Sequence, residues 1–232
     1  MTDLNPSNAV VVAKGLGKTY SGNGSQILAL DDVCIEIHEG EFVAVCGPSG
    51  CGKSTLLLIL GLLLNHDTGS LVVSGNNVSE ISQAKKSSFR AEHIGFVFQD
   101  FHLIPYLSVI DNVLVPSLAQ ALENPKDRAS MLLAEMGLEN RRNHLPSELS
   151  AGERQRTALV RALLLEPALI LADEPTGNLD QENAGIVLDH LSAYASSGGA
   201  VLMATHDQDA MKRSGRQIFL DQGVHVSRQV EQ

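Results

Sequence analysis

Between residues 41 and 55 the chain reads Glu41-Phe42-Val43-Ala44-Val45-Cys46, followed by Gly47-Pro48-Ser49-Gly50-Cys51-Gly52-Lys53-Ser54-Thr55. The first six residues are mostly apolar and predict a buried strand, and the next nine fit the pattern G-x-x-x-x-G-K-[ST]. Glycines at these spacings let successive backbone N–H groups turn inward around an anion, and the Leu-rich helix that follows adds the positive end of its dipole. This stretch therefore predicts a phosphate-binding loop between a strand and a helix.

Two side chains of this loop extend the prediction to a nucleoside triphosphate. Lys53 would reach the β- and γ-phosphates, and Ser54 offers the hydroxyl that such loops place on Mg²⁺. The alternative is a Gly-rich turn that binds nothing, because short patterns of this kind also arise by chance. The order of strand, loop and helix favours the binding site.

Length, charge and hydropathy restrict the possible classes of protein. The 232 residues are enough for one large α/β domain. The chain carries 17 Lys and Arg against 27 Asp and Glu, a formal net charge of -10, which argues against nucleic acid as a partner. The longest apolar run, residues 56–64, is shorter than the ~20 residues of a membrane-spanning helix, and no basic-then-apolar leader opens the chain. We expect a cytosolic protein whose polar ends, residues 1–8 and 227–232, are frayed.

The three cysteines form no C-x-x-C pair, which fits a reducing compartment. Cys34 and Cys46 are predicted to lie in the core. Cys51 stands beside Lys53 at a predicted helix N-terminus, and both features favour a thiolate. We therefore expect alkylation of Cys51 to block nucleotide binding.

The apolar runs predict an α/β fold with two kinds of sheet. Short runs separated by turn clusters, at Val10–Ala13 and Val33–Ile37, indicate an antiparallel β layer. Further strands are predicted at Ile94–Phe98, Ala168–Ala172 and Ala200–Ala204. The last two are continuous apolar runs, which suit a parallel sheet buried on both faces. From residue 100 to about 143 the spacing becomes helical, which predicts an inserted helical subdomain.

Two adjacent carboxylates, Asp173 and Glu174, follow the predicted strand Ala168–Ala172. Ligands of α/β sheets bind at the carboxyl ends of strands, and neighbouring side chains of a strand point in different directions. Asp173 would then serve Mg²⁺ through water, and Glu174 would be the general base for an attacking water. The alternative is a surface turn made by Asp-Glu-Pro, which the phosphate loop elsewhere in the chain disfavours.

The run Leu149-Ser150-Ala151-Gly152-Glu153 contains a capping box, in which Ser150 and Glu153 satisfy N–H groups at the start of a helix. Such a cap stabilises a helix by about 1 kcal/mol and needs no ligand. The same helix start is also a favourable place for a phosphate, because Ala151 and Gly152 leave the backbone accessible. Both interpretations stay open on these residues alone.

Six motifs, in this order along the chain, resemble those of ABC transporter ATPases. They are the phosphate loop, Gln99, Leu149-Ser150-Ala151-Gly152-Glu153, Leu169-Ile170-Leu171-Ala172-Asp173-Glu174-Pro175, Asn178-Leu179-Asp180 and Ala204-Thr205-His206-Asp207. The resemblance implies an α/β P-loop NTPase with a mixed or parallel core sheet, an N-terminal antiparallel β layer and an inserted helical subdomain. The core, with the β layer, would comprise about residues 8–99 and 160–226, and the helical subdomain, with the signature motif, about residues 100–159.

The resemblance also implies a role for each matching residue on the ATP side of the sheet. Tyr20 would stack on adenine, and the loop from Gly47 to Thr55 would hold the phosphates and Mg²⁺. Gln99 would link Mg²⁺ and the attacking water to the helical subdomain. Glu174 would polarise that water, and His206 would contact the γ-phosphate.

A second group of residues is implied to act across a dimer. Ser150 and Gly152 would face the ATP held by another copy of the chain, and Asp180 would lie at the interface between the copies. Hydrolysis would thus require a dimer with two ATP molecules. The family signature commonly reads Leu-Ser-Gly-Gly, whereas Ala151 occupies the third place here. If the backbone there needs a positive φ or very close phosphate approach, we expect slower hydrolysis.

Within the family, the chain is most similar to the branch that serves macrolide export, lipoprotein release from the inner membrane and cell-division complexes. The segments that carry this similarity are Phe98–Pro105, Gly152–Arg156 and Ala172–Asp180. In this branch the ATPase drives a membrane protein, which implies an integral membrane subunit as partner. The chain would then be cytoplasmic and peripheral on the inner face of the cell membrane. The sequence does not indicate the cargo.

An apolar segment, residues 101–107, follows Gln99. It would either dock the membrane subunit or belong to the core of the helical subdomain. Three alternatives to the export branch remain: the ATPase of an importer, a soluble ABC ATPase acting on ribosomes or DNA, and a P-loop kinase. The soluble class usually carries two cassettes or a long coiled-coil insertion, and a kinase would leave Ser150, Asp180 and His206 without a role.

Overall fold

A computed structural model describes residues 8–22 and 25–226, and the predicted frayed ends, except for Asn8, lie outside this part of the chain. The strands are β1 (Ala9–Gly22), β2 (Ser25–His38), β3 (Phe42–Cys46), β4 (Thr68–Val73), β5 (Asn76–Asn77), β6 (Ile94–Phe98), β7 (Leu169–Asp173), β8 (Ala200–Ala204), β9 (Arg216–Asp221) and β10 (Val224–Val226). The α-helices are α1 (Lys53–Leu60), α2 (Gln83–His93), α3 (Val109–Leu114), α4 (Pro125–Glu135), α5 (Ala151–Leu163), α6 (Gln181–Ser196) and α7 (Gln208–Arg213).

The strands form two sheets, as predicted. The first is antiparallel, with the order β2-β1-β4-β5, and its strands β1 and β2 pair from Ala9 and His38 to Gly22 and Ser25. The second has the order β10-β9-β3-β8-β7-β6 and is parallel from β9 to β6, with β10 antiparallel at its edge. The predicted antiparallel layer and core sheet are therefore both confirmed.

The parallel sheet is covered on both faces, and its side chains alternate between two cores. Val43 and Val45 of β3 pack in a core shared with α1 and the antiparallel sheet. Ala44 and Cys46 belong to the core formed with helices α3 to α7. This burial on both sides explains why the strands are continuous apolar runs.

The helical segment after β6 packs on the second of these cores. Val113 of α3, Leu133 of α4 and Leu159 of α5 are all buried there. Helix α5 continues to Leu163, so the boundary predicted at residue 159 falls inside a helix. No helix among residues 8–22 and 25–226 is long and apolar enough to cross a bilayer.

The structure corrects two predictions about the cysteines. Cys34 is exposed, because it alternates along β2 with the buried Val33 and Ile35. Cys46 is buried as expected, and burial raises the pKa of its thiol to about 11. Cys51 is only 3% exposed and packs in the core beneath the loop, so the accessible thiol on which the alkylation prediction depends is absent from this structure.

Candidate active site

A cavity of about 750 Å³ opens at the carboxyl ends of the parallel strands. Its lining comprises Tyr20, Ile27, Ala29, Gly47, Pro48, Ser49, Gly50, Gly52, Lys53, Ser54, Thr55, Gln99, Glu174 and His206. The structure thus brings together the phosphate loop and four further predicted residues that are distant in sequence. The side chain of Cys51 is turned into the core, so of this residue only the backbone remains available to a ligand.

Two glycines allow the loop to follow its path. Gly47 has a φ of 149° and Gly52 a φ of 104°, values that L side chains rarely adopt. A Cβ on Gly47 would lie 2.1 Å from the carbonyl oxygen of Leu220, and one on Gly52 would lie 2.3 Å from that of Ala29. Both positions therefore exclude any other residue, which leaves the loop backbone close to β2 and β9.

The first turn of α1 is open to an anion. Gly52 occupies its N-cap without a side-chain hydrogen bond, and the turn contains no acidic residue. Its free N–H groups and the helix dipole both favour a negative charge. Lys53 adds a cation at the same place: its Nζ donates to the carbonyl oxygens of Gly47 at 2.9 Å and Pro48 at 3.1 Å, so the ammonium lies against the inside of the loop.

Asp173 ends β7, between Phe98 of β6 and Ala204 of β8. Burial raises the pKa of its carboxyl above the ordinary value, and the charge of Glu174 raises it further. The hydroxyl of Ser54, which donates to the carboxylate, and the charge of Lys53 act in the opposite direction. Asp173 is therefore a partly desolvated carboxylate beside one hydroxyl.

This donor set fits Mg²⁺. The ion prefers hard oxygen ligands and takes few of them from a protein when phosphate oxygens are present. Ser54 and Asp173 already touch, and the Gln99 side chain lines the same cavity. Within the described part of the chain, no group of three His, Cys, Asp or Glu side chains forms a metal site of the all-protein kind.

Glu174 and His206 form a pair at the open side of the cavity. His206 Nδ1 lies 2.8 Å from Glu174 Oε1, and the histidine side chain is far more exposed than the carboxylate. The backbone of Glu174 has a positive φ of 45°, which costs energy for a residue with a side chain. Its N–H donates to the carbonyl oxygen of Ala204 at 2.9 Å, which holds this conformation.

Gln99 follows β6, and its backbone carbonyl accepts a 3.1 Å hydrogen bond from Asn178 Nδ2. Its side chain lies against Gly177, where a Cβ would come within 3.0 Å of Nε2. Gln99 is therefore fixed to the loop that follows Glu174, as well as facing the cavity. This contact was not predicted, because no pattern in the sequence relates residues 99 and 178.

Tyr20 stands at the mouth of the cavity on β1, paired with Ile27 of β2. Tyr20 is 40% exposed, and Lys18 Nζ lies over its ring at 5.8 Å from the ring centroid. Ile27 and Ala29 add apolar surface beside it, which suits a planar base better than a charged group. We did not predict these two residues, although their alternation on the strand opposite Tyr20 would have indicated them.

Ser150, Gly152 and Asp180 do not line this cavity. Ser150 forms the predicted capping box with Glu153: its Oγ accepts from Glu153 N at 3.2 Å, and Glu153 Oε2 accepts from Ser150 N at 2.8 Å. The hydrogen bond from Ser150 N to the Glu153 carboxylate is the main cause of the lowered pKa of Glu153. Gly152 packs so closely on Asn183 that a Cβ would lie 2.2 Å from Asn183 Oδ1.

Asp180 belongs to this second cluster. It caps α6 by accepting the N–H of Asn183 at 2.8 Å, and this bond lowers the pKa of its carboxyl. The side chain of Asn183 also donates to Asp180. Asn183 therefore joins Asp180 to the start of α5, in a cluster separate from the cavity.

The segment 101–107 lies at the surface. None of its residues is fully buried, and Tyr106 is 79% exposed. Its backbone is fixed from behind by two residues that we did not predict. Asn112, which is completely buried, bonds the backbone of Ile104 and Leu107, and Arg161 donates to the carbonyl oxygens of residues 101 and 102.

Comparison with known proteins identifies the family. Residues 30–177 match the model of the ABC transporter family. The lipoprotein-releasing system ATP-binding protein LolD of Bordetella avium is 44% identical over 96% of this chain and 98% of its own length. The macrolide export ATP-binding/permease protein MacB of Chlorobium phaeobacteroides is 41% identical over 90% of this chain, which spans 32% of that longer protein.

Solved structures agree with this family. The dimeric structure of MJ0796, a bacterial ABC transporter cassette, superposes with a TM-score of 0.87 at 36% identity, covering 94% of this chain and 97% of that one. The same cassette, in a dimeric post-hydrolysis state bound to ADP and Pi, gives the same values. The chain therefore belongs to the ABC transporter family and is the ATP-binding and ATP-hydrolysing subunit of such a transporter.

Proposed function

We propose that the chain hydrolyses ATP as a dimer of two copies and thereby drives a separate membrane subunit in lipoprotein release or a related export process. One observation supports the dimer. The cavity is lined by Lys53, Glu174 and His206. The other residues assigned to ATP lie outside it, in a separate cluster of the same chain that comprises Ser150, Gly152 and Asp180. A second copy would bring its cluster against the cavity of the first. The dimeric structure of MJ0796 supports this arrangement.

Each residue of the cavity has a role in this proposal. Tyr20 stacks on the adenine, while the loop N–H groups and Lys53 bind the phosphates. Ser54, Asp173 and Gln99 would hold Mg²⁺, which when bound neutralises the charge of the β- and γ-phosphates.

The reaction itself is assigned to Glu174 and His206. Glu174 orients the attacking water and accepts its proton, because its carboxylate faces the cavity beside the phosphate loop. His206, 2.8 Å from that carboxylate, fixes its orientation and contacts the γ-phosphate.

The names of the relatives support the export branch. LolD proteins are named for lipoprotein release, and MacB is named as an ATP-binding and permease protein in one. We propose that segment 101–107 docks the membrane subunit and that the chain is held in this way at the inner face of the cell membrane. Its exposed Tyr106 on a backbone fixed by Asn112 and Arg161 is a preorganised contact surface of this kind.

The dimer is tested with Glu174→Gln, measured by light scattering with and without ATP and Mg²⁺. We expect a monomer without ATP and a dimer with it, because ATP stays bound while only a small residual rate of hydrolysis is left. Lys53→Ala is the control that should remain monomeric in both conditions. A Glu174→Gln variant that binds ATP with the affinity of the native chain and stays monomeric would contradict the proposal that the isolated chain dimerises with ATP.

The partner is tested by purifying tagged Glu174→Gln from its source cell with ATP present and identifying the bound proteins by mass spectrometry. A membrane protein with few spans and a large extracytoplasmic domain is expected. Tyr106→Asp should lose it, whereas Leu63→Asp, which changes another exposed apolar residue, should retain it. A many-span permease would indicate an importer, and ribosomal proteins or DNA would contradict the transport function.

A further inference from the structure

Gln155 lies within α5, and its buried side chain contacts the loop that carries Glu174. Gln155 has no solvent exposure, and its Nε2 donates to the carbonyl oxygen of Pro175 at 2.7 Å. The other amide atom, Oε1, is buried without a hydrogen-bond partner among the described residues. One half of this amide is thus used and the other half is not.

The unpaired half of the Gln155 amide costs folding free energy, so stability alone does not explain this residue. A buried polar atom without a partner loses its hydration and gains nothing in return. Nearly all buried polar atoms in proteins find a partner, so an exception requires an explanation. An apolar side chain of similar size would fill the same space without that loss. The bond to Pro175 is therefore the specific contribution of Gln155.

Pro175 directly follows Glu174, whose backbone is strained. The positive φ of Glu174 is held by two backbone bonds, from its N–H to Ala204 and from Gly177 N to its carbonyl oxygen. The bond from Gln155 fixes the next carbonyl of the same turn from the side of α5. A strained conformation persists only when its surroundings hold it in this way.

Helix α5 also forms a hydrogen bond near the far end of the segment that follows Glu174, at the start of α6. Arg156, the neighbour of Gln155, donates from Nη1 to Asn183 Oδ1 at 2.6 Å, and Asn183 in turn bonds Asp180. The helix that begins at Ser150 is therefore tied to the segment after Glu174 at Pro175 and at Asn183. A displacement of α5 would move this segment with it.

We propose that Gln155 is a positioning residue for the reaction: it couples the orientation of the Glu174 carboxylate to the position of α5. A ligand that contacts the start of α5 would then act on the catalytic turn of the same chain. This inference rests on the proposed catalytic role of Glu174. Gln155 itself is not among the residues that line the cavity.

The test is Gln155→Met, which keeps a long unbranched side chain and removes the donor. Thr157→Val is the matched control, because Thr157 is equally buried on α5 but donates to Glu153 O of its own helix. We expect Gln155→Met to lower kcat about ten- to a hundredfold, since a misplacement of about 1 Å at a reacting group has effects of this size. The Kd for ATP should stay within about twofold, because the nucleotide contacts are intact. Thr157→Val should keep the native kcat.

A double-mutant cycle separates positioning from general damage. In the Glu174→Gln background, Gln155→Met should not reduce the residual rate further, because its effect passes through Glu174. Equal losses in both backgrounds, or a native kcat in Gln155→Met, would overturn the proposal. If Gln155→Met does not fold, Gln155→Asn, whose amide is too short to reach Pro175, takes its place in the same cycle.

The outcome for Glu174 is judged separately. A native rate in Glu174→Gln would remove the catalytic role proposed for that residue and with it the basis of this inference. An inactive Glu174→Gln together with a fully active Gln155→Met would reject the positioning role alone.

Discussion

Helices α1 and α5 both begin next to residues assigned to ATP, but their first turns are satisfied in opposite ways. Helix α1 has a glycine N-cap, no side-chain cap and no acidic residue in its first turn. Helix α5 has a complete capping box made by Ser150 and Glu153. The N–H groups of α1 are thus left for an anion from outside, whereas α5 already satisfies two of its own.

The carboxylates near the two helix starts differ in the same sense. Burial raises the pKa of Asp173, which lies beside α1, while the N–H of Ser150 lowers the pKa of Glu153 in α5. The charge of Asp173 is unfavourable in the free protein, and that of Glu153 is favourable. The ionised carboxylate assigned to a ligand thus destabilises the free protein, whereas the carboxylate that completes the helix cap stabilises it.

The largest effect is expected from removing the cation at the start of α1. Lys53→Ala should reduce ATP hydrolysis at least about 100-fold, the order of loss seen when a preorganised charge stabiliser is removed. ATP binding should weaken with it, as measured by calorimetry. Lys86→Ala is the control, because Lys86 bonds Asn65 outside the cavity. Undiminished binding in Lys53→Ala would show that α1 does not hold the phosphates.

Asp173→Asn is expected to separate stability from activity. Without nucleotide and Mg²⁺, the variant should be more stable than the native chain at neutral pH, because the raised pKa means that ionised Asp173 costs folding free energy. This advantage should shrink as the pH falls and vanish below the ordinary carboxyl pKa of 3.8. Urea unfolding at several pH values measures it. Mg²⁺-dependent hydrolysis should be lost, and a variant less stable at neutral pH would contradict the assigned desolvation.

Glu153→Gln should show the opposite pH dependence. The lowered pKa of Glu153 means that its charge stabilises the folded state above the ordinary value of 4.5, and that this gain is lost as the pH falls through the folded-state pKa. We expect a loss of about 0.3–1 kcal/mol at neutral pH, typical of one carboxylate at a helix N-terminus. The exposed Glu123 supplies the control Glu123→Gln, and equal losses in both variants would deny a specific role for the cap.

The contrast between the helix starts also shows what the sequence can reveal. The strand and loop from Phe42 to Thr55 were predicted because local spacing specifies them, and β6 was predicted with its observed bounds. Helix α2 was not, since it has no buried residue and hence no apolar stripe. Cys34 was misplaced, although the alternation of Val33 and Ile35 would have put it outside. The contact of Gln155 with Pro175 joins residues that only the folded chain brings together.

The smallest effect is expected at Ala151, where the family usually has glycine. Ala151 is the first residue of α5 and is not among the residues with positive φ, so its methyl group imposes no backbone strain. Ala151→Gly should therefore change the ATPase rate less than about twofold, and it should lower stability by up to about 1 kcal/mol because glycine is more flexible when unfolded. Steady-state hydrolysis and thermal unfolding measure the two.

A several-fold faster Ala151→Gly would show that the methyl group obstructs the phosphate of the second copy, since strain is not available as the cause. The start of α5 would then limit turnover through access. In that event the gain should disappear in Ser150→Ala, which removes the hydroxyl assigned to the same phosphate. A gain that persists without Ser150 would place the effect of the methyl group in the helix cap and not at the nucleotide.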